Sequence, residues 1–384
     1  MTQPTLIRRA PGSPPRILAL CAGYGGLETA IHAGTGGRPV AYAENDPYAA
    51  AVFAAHHPGA PNLGDVTTID WEQVRDLYRP DVIGAGFPCR NISNAGRRDG
   101  IRGQWSKVWT NVAEAVGVLR PRLVFLENVA ALRSRGLDVV AADLATLGYD
   151  LRWTCLRAGD PEIGAPHPRD RWFAVAHPAD ADPHHSGRHW RPRHLPETQG
   201  RVEPADRRDQ AAHSRSLTLL PSPVAADGSR GSLTYTRGNP TLRGAVLKLL
   251  PTPKASDGPY DSTGAHNSHG TYYLPGQAIR MDAQWVGHQG IDYEPAIRRW
   301  EHVTGRAAPC PTEPGTRGNR RLSPAFAEWL MGLPAGWVTA VPDIPRKEQL
   351  RIIGNGVVPQ QAHHAYSLLL EPHTVASLER GAAA

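Results

Sequence analysis

Between residues 16 and about 147, short apolar runs alternate with stretches of helical pattern. Ile17-Leu18-Ala19-Leu20-Cys21, Val40-Ala41-Tyr42-Ala43, residues 81–84 and Leu123-Val124-Phe125-Leu126 read as buried strands. Residues 27–33, 46–56 and 105–119 read as helices between them, the last with Val108, Val112, Val116 and Leu119 at helical spacing. Alternating elements of this size predict an α/β, doubly wound, mostly parallel sheet. Such sheets hold ligands in a crevice at the carboxyl ends of their strands, so those ends carry the functional reading.

The strand ends are chemically distinctive. After the first strand comes Ala22-Gly23-Tyr24-Gly25-Gly26, a glycine turn leading into a helix, which brings backbone N–H groups close to a ligand. Glu44 ends the second strand, 18 residues beyond Gly26, where a carboxylate is placed to take ribose hydroxyls. Asp65 adds a carboxylate near a further strand end. The third strand runs into Gly84-Ala-Gly-Phe-Pro-Cys-Arg-Asn-Ile-Ser93, where Pro88 precedes Cys89. A cysteine at a strand end is a candidate nucleophile; as a free cysteine it also reads as a small buried hydrophobe. Glu127-Asn128 closes the fourth strand. Each acidic residue alone reads equally as a helix cap or a loop charge, but together they outline one crevice edge.

Two more strands are expected at residues 152–156 and 172–176, with His167-Pro168-Arg169-Asp170-Arg171 between them. Arginines at i and i+2 of an extended segment point the same way, toward a phosphate or a base carbonyl, or they form an exposed basic turn. Beyond His177 the composition shifts. Residues 177–215 hold six histidines, seven arginines and six carboxylates, and read as loop-rich or partly disordered. The histidines show no metal-ligand spacing, so no metal is expected. Two segments 30 residues apart, 219–228 and 249–258, match at seven of ten positions and read as related loops of a Pro/Gly-rich module. Residues 321–333 return to a helical pattern, 351–359 read as a strand and turn, and 360–370 as a helix.

Composition adds limits. The formal net charge is +6, and only four of the 42 basic residues are lysine (Lys107, Lys248, Lys254, Lys347). Arginine forks onto phosphates and guanine edges, although a GC-rich genome also enriches it. The four cysteines (Cys21, Cys89, Cys155, Cys310) are far apart, which suggests neither a disulfide framework nor a cysteine zinc site. No signal-like run opens the chain, and no stretch approaches the roughly 20 apolar residues of a membrane span. A cytoplasmic monomer with no membrane partner is expected.

Taken in order, Ala22-Gly-Tyr-Gly-Gly26, Glu44, Asp65, Gly86-Phe-Pro-Cys89, Glu127-Asn-Val129, Arg169-x-Arg171 and Gly354-Asn-Gly-Val-Val-Pro359 resemble the DNA (cytosine-5) methyltransferases of the bacterial and phage type. The resemblance implies a Rossmann-like, S-adenosylmethionine-dependent methyltransferase sheet plus a smaller, loop-rich target-recognition domain. It implies methyl transfer to C5 of a flipped-out cytosine in double-stranded DNA, in a bacterial cytoplasm or phage-infected cell, typically within restriction-modification. Cys89 is implied as the nucleophile at C6, held by Pro88. Glu127 is implied at ring N3, Asn128 as its positioner, Arg171 at O2, and Arg169 at the neighbouring phosphate or at Glu127. S-adenosylmethionine is implied over Ala22, Gly23, Tyr24, Gly25, Gly26 and Leu27, with Glu44 and Asn45 at the ribose side and Asp65 and Val66 at the adenine. Gly86, Asn355 and Val357 complete that pocket. Residues 90–102 are implied as a flap over the base.

The implied division is a catalytic domain over 1–177, a target-recognition domain over 178–320, and a segment over 321–384 that completes the catalytic domain. Its residues from about Ile352 should pack back beside the first strand. The chain departs from the family pattern at Ala19 and Cys21, where Asp and Phe are common, at Arg90 and Ala95 after the nucleophile, and at His167. Alternatives are the same chemistry on tRNA, which the long recognition module disfavours, and an inactive sequence-specific DNA-binding protein, which intact Cys89, Glu127 and Arg171 disfavour. A nicotinamide dehydrogenase shares only the strand–glycine–helix start. An amino-methyltransferase needs an Asn/Asp-Pro-Pro-aromatic loop where Gly-Phe-Pro-Cys stands.

Overall fold

A computed structural model describes residues 13–88, 106–179, 249–257, 272–281, 285–287, 290–315 and 319–370. Cys89, the flap at 90–102, Ala95, most of the histidine-rich stretch and the first of the two related loops lie outside the described residues.

Six strands form one sheet: β1 (Arg16–Leu20), β2 (Arg38–Ala43), β3 (Val82–Ala85), β4 (Leu123–Val129), β5 (Tyr149–Arg157) and β6 (Asp170–Pro178), in the order β2-β1-β3-β4-β6-β5. The first four in that order are parallel, while β6 runs antiparallel to both β4 and β5. The chain leaves β1 toward β2 on one side and returns on the other as β3. Strand order therefore reverses at β1, the point where open α/β sheets form their ligand crevice. β3 and the first six residues of β4 are wholly buried, as expected of parallel strands covered on both faces.

Alternation along the strands divides the core. Leu18, Leu20, Ile83, Val124 and Leu126 pack against α3 (Trp71–Tyr78), α4 (Ser106–Leu119) and α6 (Leu137–Thr146), which follows the single turn α5 (Leu132–Arg135). Ile17, Val82, Leu123 and Phe125 face the other way, toward α1 (Gly26–Thr35). The helix α2 (Pro47–His56) starts where the Asp46 side chain accepts the Ala49 N–H and Pro47 presets the first turn.

The chain beyond residue 249 builds a second core and then returns to the sheet. It contributes α7 (Leu274–Arg280), α8 (Glu294–Thr304), a short hairpin of β7 (Thr312–Pro314) and β8 (Arg320–Leu322), α9 (Pro324–Leu330), α10 (Arg346–Asn355) and α11 (Pro359–Leu369). Leu250, Leu274, Ile297, Trp300, Phe326, Trp329 and Ile353 share one cluster with Tyr24. α11 lies on α1, where Ala362, Ala365, Tyr366 and Leu369 close the core with Leu27 and Ile31. Tyr366 sets its ring edge-on to Phe125 at 4.7 Å and donates to the Leu126 carbonyl at 3.1 Å.

Two local expectations are corrected. Residues 351–355, read as extended from Ile352-Ile353, are the end of α10. That helix buries a stripe of Leu350, Ile352 and Ile353, and Arg351 pairs with Glu348 one turn back. Residues 321–322, read as the start of a helix, belong to β8, and Ser323 caps the helix that follows by accepting the Phe326 N–H.

By contacts the chain divides into two compact units, Met1–Ala179 with Leu249–Ala384, and Asp180–Lys248. Described residues between 249 and 320 thus group with the sheet, because their apolar side chains fill the cluster around Trp300 and Trp329. The second unit lies outside the described residues. No helix among the described residues is long and apolar enough to cross a membrane.

Candidate active site

The turn after β1 is wound tightly. Cys21, Gly23 and Gly25 have φ of 53°, 56° and 85°, which is inexpensive only for glycine. Around Gly23 the side facing away from the backbone is open space. A Cβ on Gly26 would lie 2.5 Å from both the Val357 carbonyl and the Tyr24 ring. The turn is therefore open on one side and pressed against the far end of the chain on the other. The N-terminal turn of α1 has no side-chain cap, so its N–H groups are not taken by a side chain at its N-cap, Gly25.

Glu44, just past β2, holds this turn in shape. One carboxylate oxygen accepts the Gly23 N–H at 2.9 Å and the other the Asp46 N–H at 2.8 Å. Burial raises its pKa against the pull of those two bonds. Asn45 donates to Asp65 at 3.4 Å, and the Thr67 N–H and hydroxyl hold the Asp65 carboxyl below its ordinary value. The tyrosine of the turn reaches the C-terminal segment, with its hydroxyl donating to the Val357 carbonyl at 2.6 Å. Trp337 donates its ring N–H to the Tyr24 carbonyl at 2.8 Å and stacks on His56 with centroids 3.5 Å apart.

At the ends of β3 and β4 the arrangement changes character. Glu127 is 8 % exposed, and its carboxylate meets the Arg171 Nε, on the adjacent strand β6, at 2.9 Å. Burial pushes its pKa up, opposed by Arg171 and then by Arg169. Asn128 does not touch the Glu127 carboxyl. It donates to the Phe87 carbonyl at 3.2 Å and accepts the Val129 N–H at 2.7 Å, so it fixes the loop that carries Pro88 toward Cys89. Phe87 is buried against the Trp109 ring at 5.1 Å.

One cavity of about 780 Å³ joins the two regions. It is lined by Ala22, Gly23, Tyr24, Gly26 and Leu27 from the turn, by Glu44 and Asn45 just past β2, and by Val66 and Asp65, the latter expected near a strand end but capping a single helical turn between α2 and α3. Gly86, Pro88, Glu127, Asn128, Arg171, Asn355 and Val357 line its other side. Two expected members stand elsewhere. Gly25 faces Phe53 and His57. Arg169 is 3 % exposed and turns its guanidinium to the carbonyls of Gly354 and Gly356. β6 begins at Asp170, so of the two arginines only Arg171 lies in the strand, while Arg169 still acts on Glu127, lowering its pKa after Arg171.

Residues not anticipated also line the cavity: Lys107, Asp46, Thr67 and Arg351. Arg351 binds Asp46 at 2.6 Å, joining α10 to the start of α2. Its place one helical turn before Asn355 is the signal that could have found it. Cys21 also lines the cavity, but burial, then Glu44 and Asp65, push its thiol up to about 12, which makes it a poor nucleophile. Among the described residues no group of histidine, cysteine and carboxylate side chains could hold a metal ion.

A sheet whose reversal point opens on a glycine turn, strand-end carboxylates and a buried acid defines a Rossmann-like methyltransferase. The chain belongs to the C-5 cytosine-specific DNA methylase family, whose model matches residues 16–369. Among curated relatives, the type II methyltransferase M.CviJI of Paramecium bursaria Chlorella virus IL3A is 33% identical over 169 residues, 44% of each chain. M.NlaX of Neisseria lactamica is 32% identical over 165 residues, 42% of this chain and 51% of that one. These matches span about half the relatives' length. Among solved structures, the S. pombe Dnmt2 methyltransferase superposes with a TM-score of 0.52 at 16% identity, covering 94% of this chain and 99% of that one. The Entamoeba histolytica methyltransferase EhMeth gives 0.54 at 13% identity, covering 93% and 98%. At these identities the structural likeness concerns the fold.

Proposed function

We propose that the chain transfers a methyl group from S-adenosylmethionine to C5 of a flipped-out cytosine in a specific double-stranded DNA sequence, through a covalent bond from Cys89 to C6. The observation that carries this reading is the juxtaposition, in one cavity, of the buried Glu127–Arg171 pair and the Glu44-braced glycine turn. It separates an acid–base region from a nucleoside-binding region while keeping them continuous.

The residues fit S-adenosylmethionine. Space is open beside Gly23, the carboxylates of Glu44 just past β2 and of Asp65 at a helical turn line the cavity, and Asn355 and Val357 line it as well. Bound there, it supplies an electrophilic methyl group. The chain's own work is on the base. Cytosine C5 is a weak nucleophile until C6 is saturated. The Cys89 thiolate adds to C6, C5 takes the methyl, and loss of the C5 proton with expulsion of the thiolate restores the ring. A free thiol is only a few per cent ionised near neutral pH, so Cys89 needs a positive surrounding. Glu127, its pKa raised by burial, gives a proton or hydrogen bond to N3 and makes C6 more electrophilic. Arg171 holds O2. The base must leave the duplex to reach these groups.

In this reading residues 178–320 choose the DNA sequence, and the flanking segments 1–177 and 321–384 do the chemistry, in a monomer in the cytoplasm. Three measurements test it. Bisulfite sequencing of DNA from cells expressing the chain should reveal one modified cytosine context. Cys89→Ala should abolish transfer, by at least about a thousandfold given the role of a covalent nucleophile, while leaving S-adenosylmethionine binding intact. DNA carrying 5-fluorocytosine should trap a covalent adduct with the wild-type chain alone. An adduct with the alanine variant moves the nucleophile elsewhere, and methylation of tRNA in place of DNA changes the substrate.

A further inference from the structure

We propose that Arg169 is a positioning residue that sets the cofactor wall through the carbonyls of Gly354 and Gly356, and does not contact DNA. The inference rests on the methyl-transfer reading and extends it to a residue expected at a phosphate or at Glu127.

Four observations carry it. Arg169 is 3 % exposed, so its guanidinium must abandon its partners to reach a phosphate. Those partners are backbone carbonyls: both terminal nitrogens donate to Gly354 at 3.3 Å, and Nη2 also donates to Gly356. The backbone of Arg169 is itself pinned. Its N–H donates to the Thr252 hydroxyl at 3.1 Å, and its carbonyl accepts the Gln361 side-chain amide at 2.9 Å and the Ala158 N–H at 3.1 Å. Finally, the two glycines have no lateral room. A Cβ would lie 2.1 Å from the Lys254 carbonyl carbon at Gly354, and 1.8 Å from the Tyr24 ring at Gly356.

The consequence is geometric. The carbonyls of Gly354 and Gly356, the residues on either side of Asn355, are held by one fork, while the Tyr24 hydroxyl holds the Val357 carbonyl. Asn355 itself is exposed and lines the cavity. A buried cation is costly unless its donors are satisfied; here both terminal nitrogens find carbonyls, while Nε has no partner. A lysine carries the same charge as a point and cannot span two carbonyls in this way.

The test uses the full chain with Arg169→Lys, the wild type measured in parallel. Calorimetry gives the Kd for S-adenosylmethionine, anisotropy gives the Kd for DNA across a salt series, and initial rates give kcat and both KM values. The expected result is a rise of about tenfold in Kd and KM for S-adenosylmethionine, with DNA affinity and its salt slope unchanged. Thr252→Val, which loosens only the backbone of Arg169, should move the same constants in the same direction by a smaller factor, and it decides the matter if the lysine variant does not fold. A drop in kcat with every KM unmoved reports less folded protein or an effect of Arg169 on Glu127, and either overturns the proposal. So does weaker DNA binding with a salt slope reduced by about one, the mark of a lost phosphate contact. A wild type that binds S-adenosylmethionine but does not methylate DNA sinks the functional reading and leaves the Kd comparison decisive. A wild type that binds no S-adenosylmethionine overturns both.

Discussion

Glu28 shows what a single buried group contributes. It sits in the first turn of α1, 1 % exposed, with its carboxyl hydrogen-bonded to no other residue, close to where a Cβ on Gly84 would lie. Burial raises its pKa from 4.5 to about 8, the Glu44 charge adding to the shift and a backbone hydrogen bond opposing it. The folded state therefore holds a proton that the unfolded state releases. Stability is fully present below 4.5 and is lost as pH rises toward about 8. Glu28→Gln removes that loss, because the amide never ionises. Denaturant melts across this window should show wild-type stability falling relative to the variant, by up to about 1.4 kcal/mol per pH unit. Parallel curves for the two proteins would mean that Glu28 stays ionised in the fold. Nothing in the sequence marks this residue, since a glutamate in the first turn of a helix is ordinarily an exposed partner of the helix dipole.

The joints between elements were unequally legible. Strand ends could be read because apolar runs stop near them, at Gly23, Glu44 and Gly86, although β4 carries on through Glu127 to Val129. The structure brings these to one cavity, as spacing alone suggested. The C-terminal wall was harder. Ile352-Ile353 favours a strand by its branched side chains, and only packing on Leu250 and Trp300 makes it helical. Arg169 misled because the alternation rule needs both residues inside the strand. The same wall predicts a sharp sensitivity at Gly356, whose added Cβ would overlap the Tyr24 ring at 1.8 Å. Gly356→Ala should cost about 1–3 kcal/mol of stability, as overpacking does, and should weaken S-adenosylmethionine binding. Combining it with Tyr24→Leu should recover part of that loss, so the two changes will be non-additive in urea unfolding. Additive losses would place the strain elsewhere.

For the whole molecule, the question is which part chooses the cytosine. The sheet unit has its own core drawn from both flanks of residues 180–248. Ile17 and Phe125 meet Ala362 and Tyr366 on one face, and Tyr24 meets Leu250, Trp300 and Ile353 at the cavity. Both ends of the gap are anchored in that unit, with the Ala179 N–H on the Gly148 carbonyl and the Leu250 N–H on the Pro166 carbonyl, each at 2.8 Å. Replacing 180–248 with a long Gly/Ser linker should therefore leave a chain that folds and keeps its Kd for S-adenosylmethionine within about twofold, since a flexible linker of this kind imposes little on the parts it joins. Its DNA affinity should fall and its methylation should lose sequence context, because the arginine-rich stretch goes with the segment. Bisulfite sequencing and calorimetry on the shortened chain read both outcomes. Retained context specificity would assign base reading to residues 249–320, which share the core of the sheet unit and would then present recognition side chains directly from the cofactor wall.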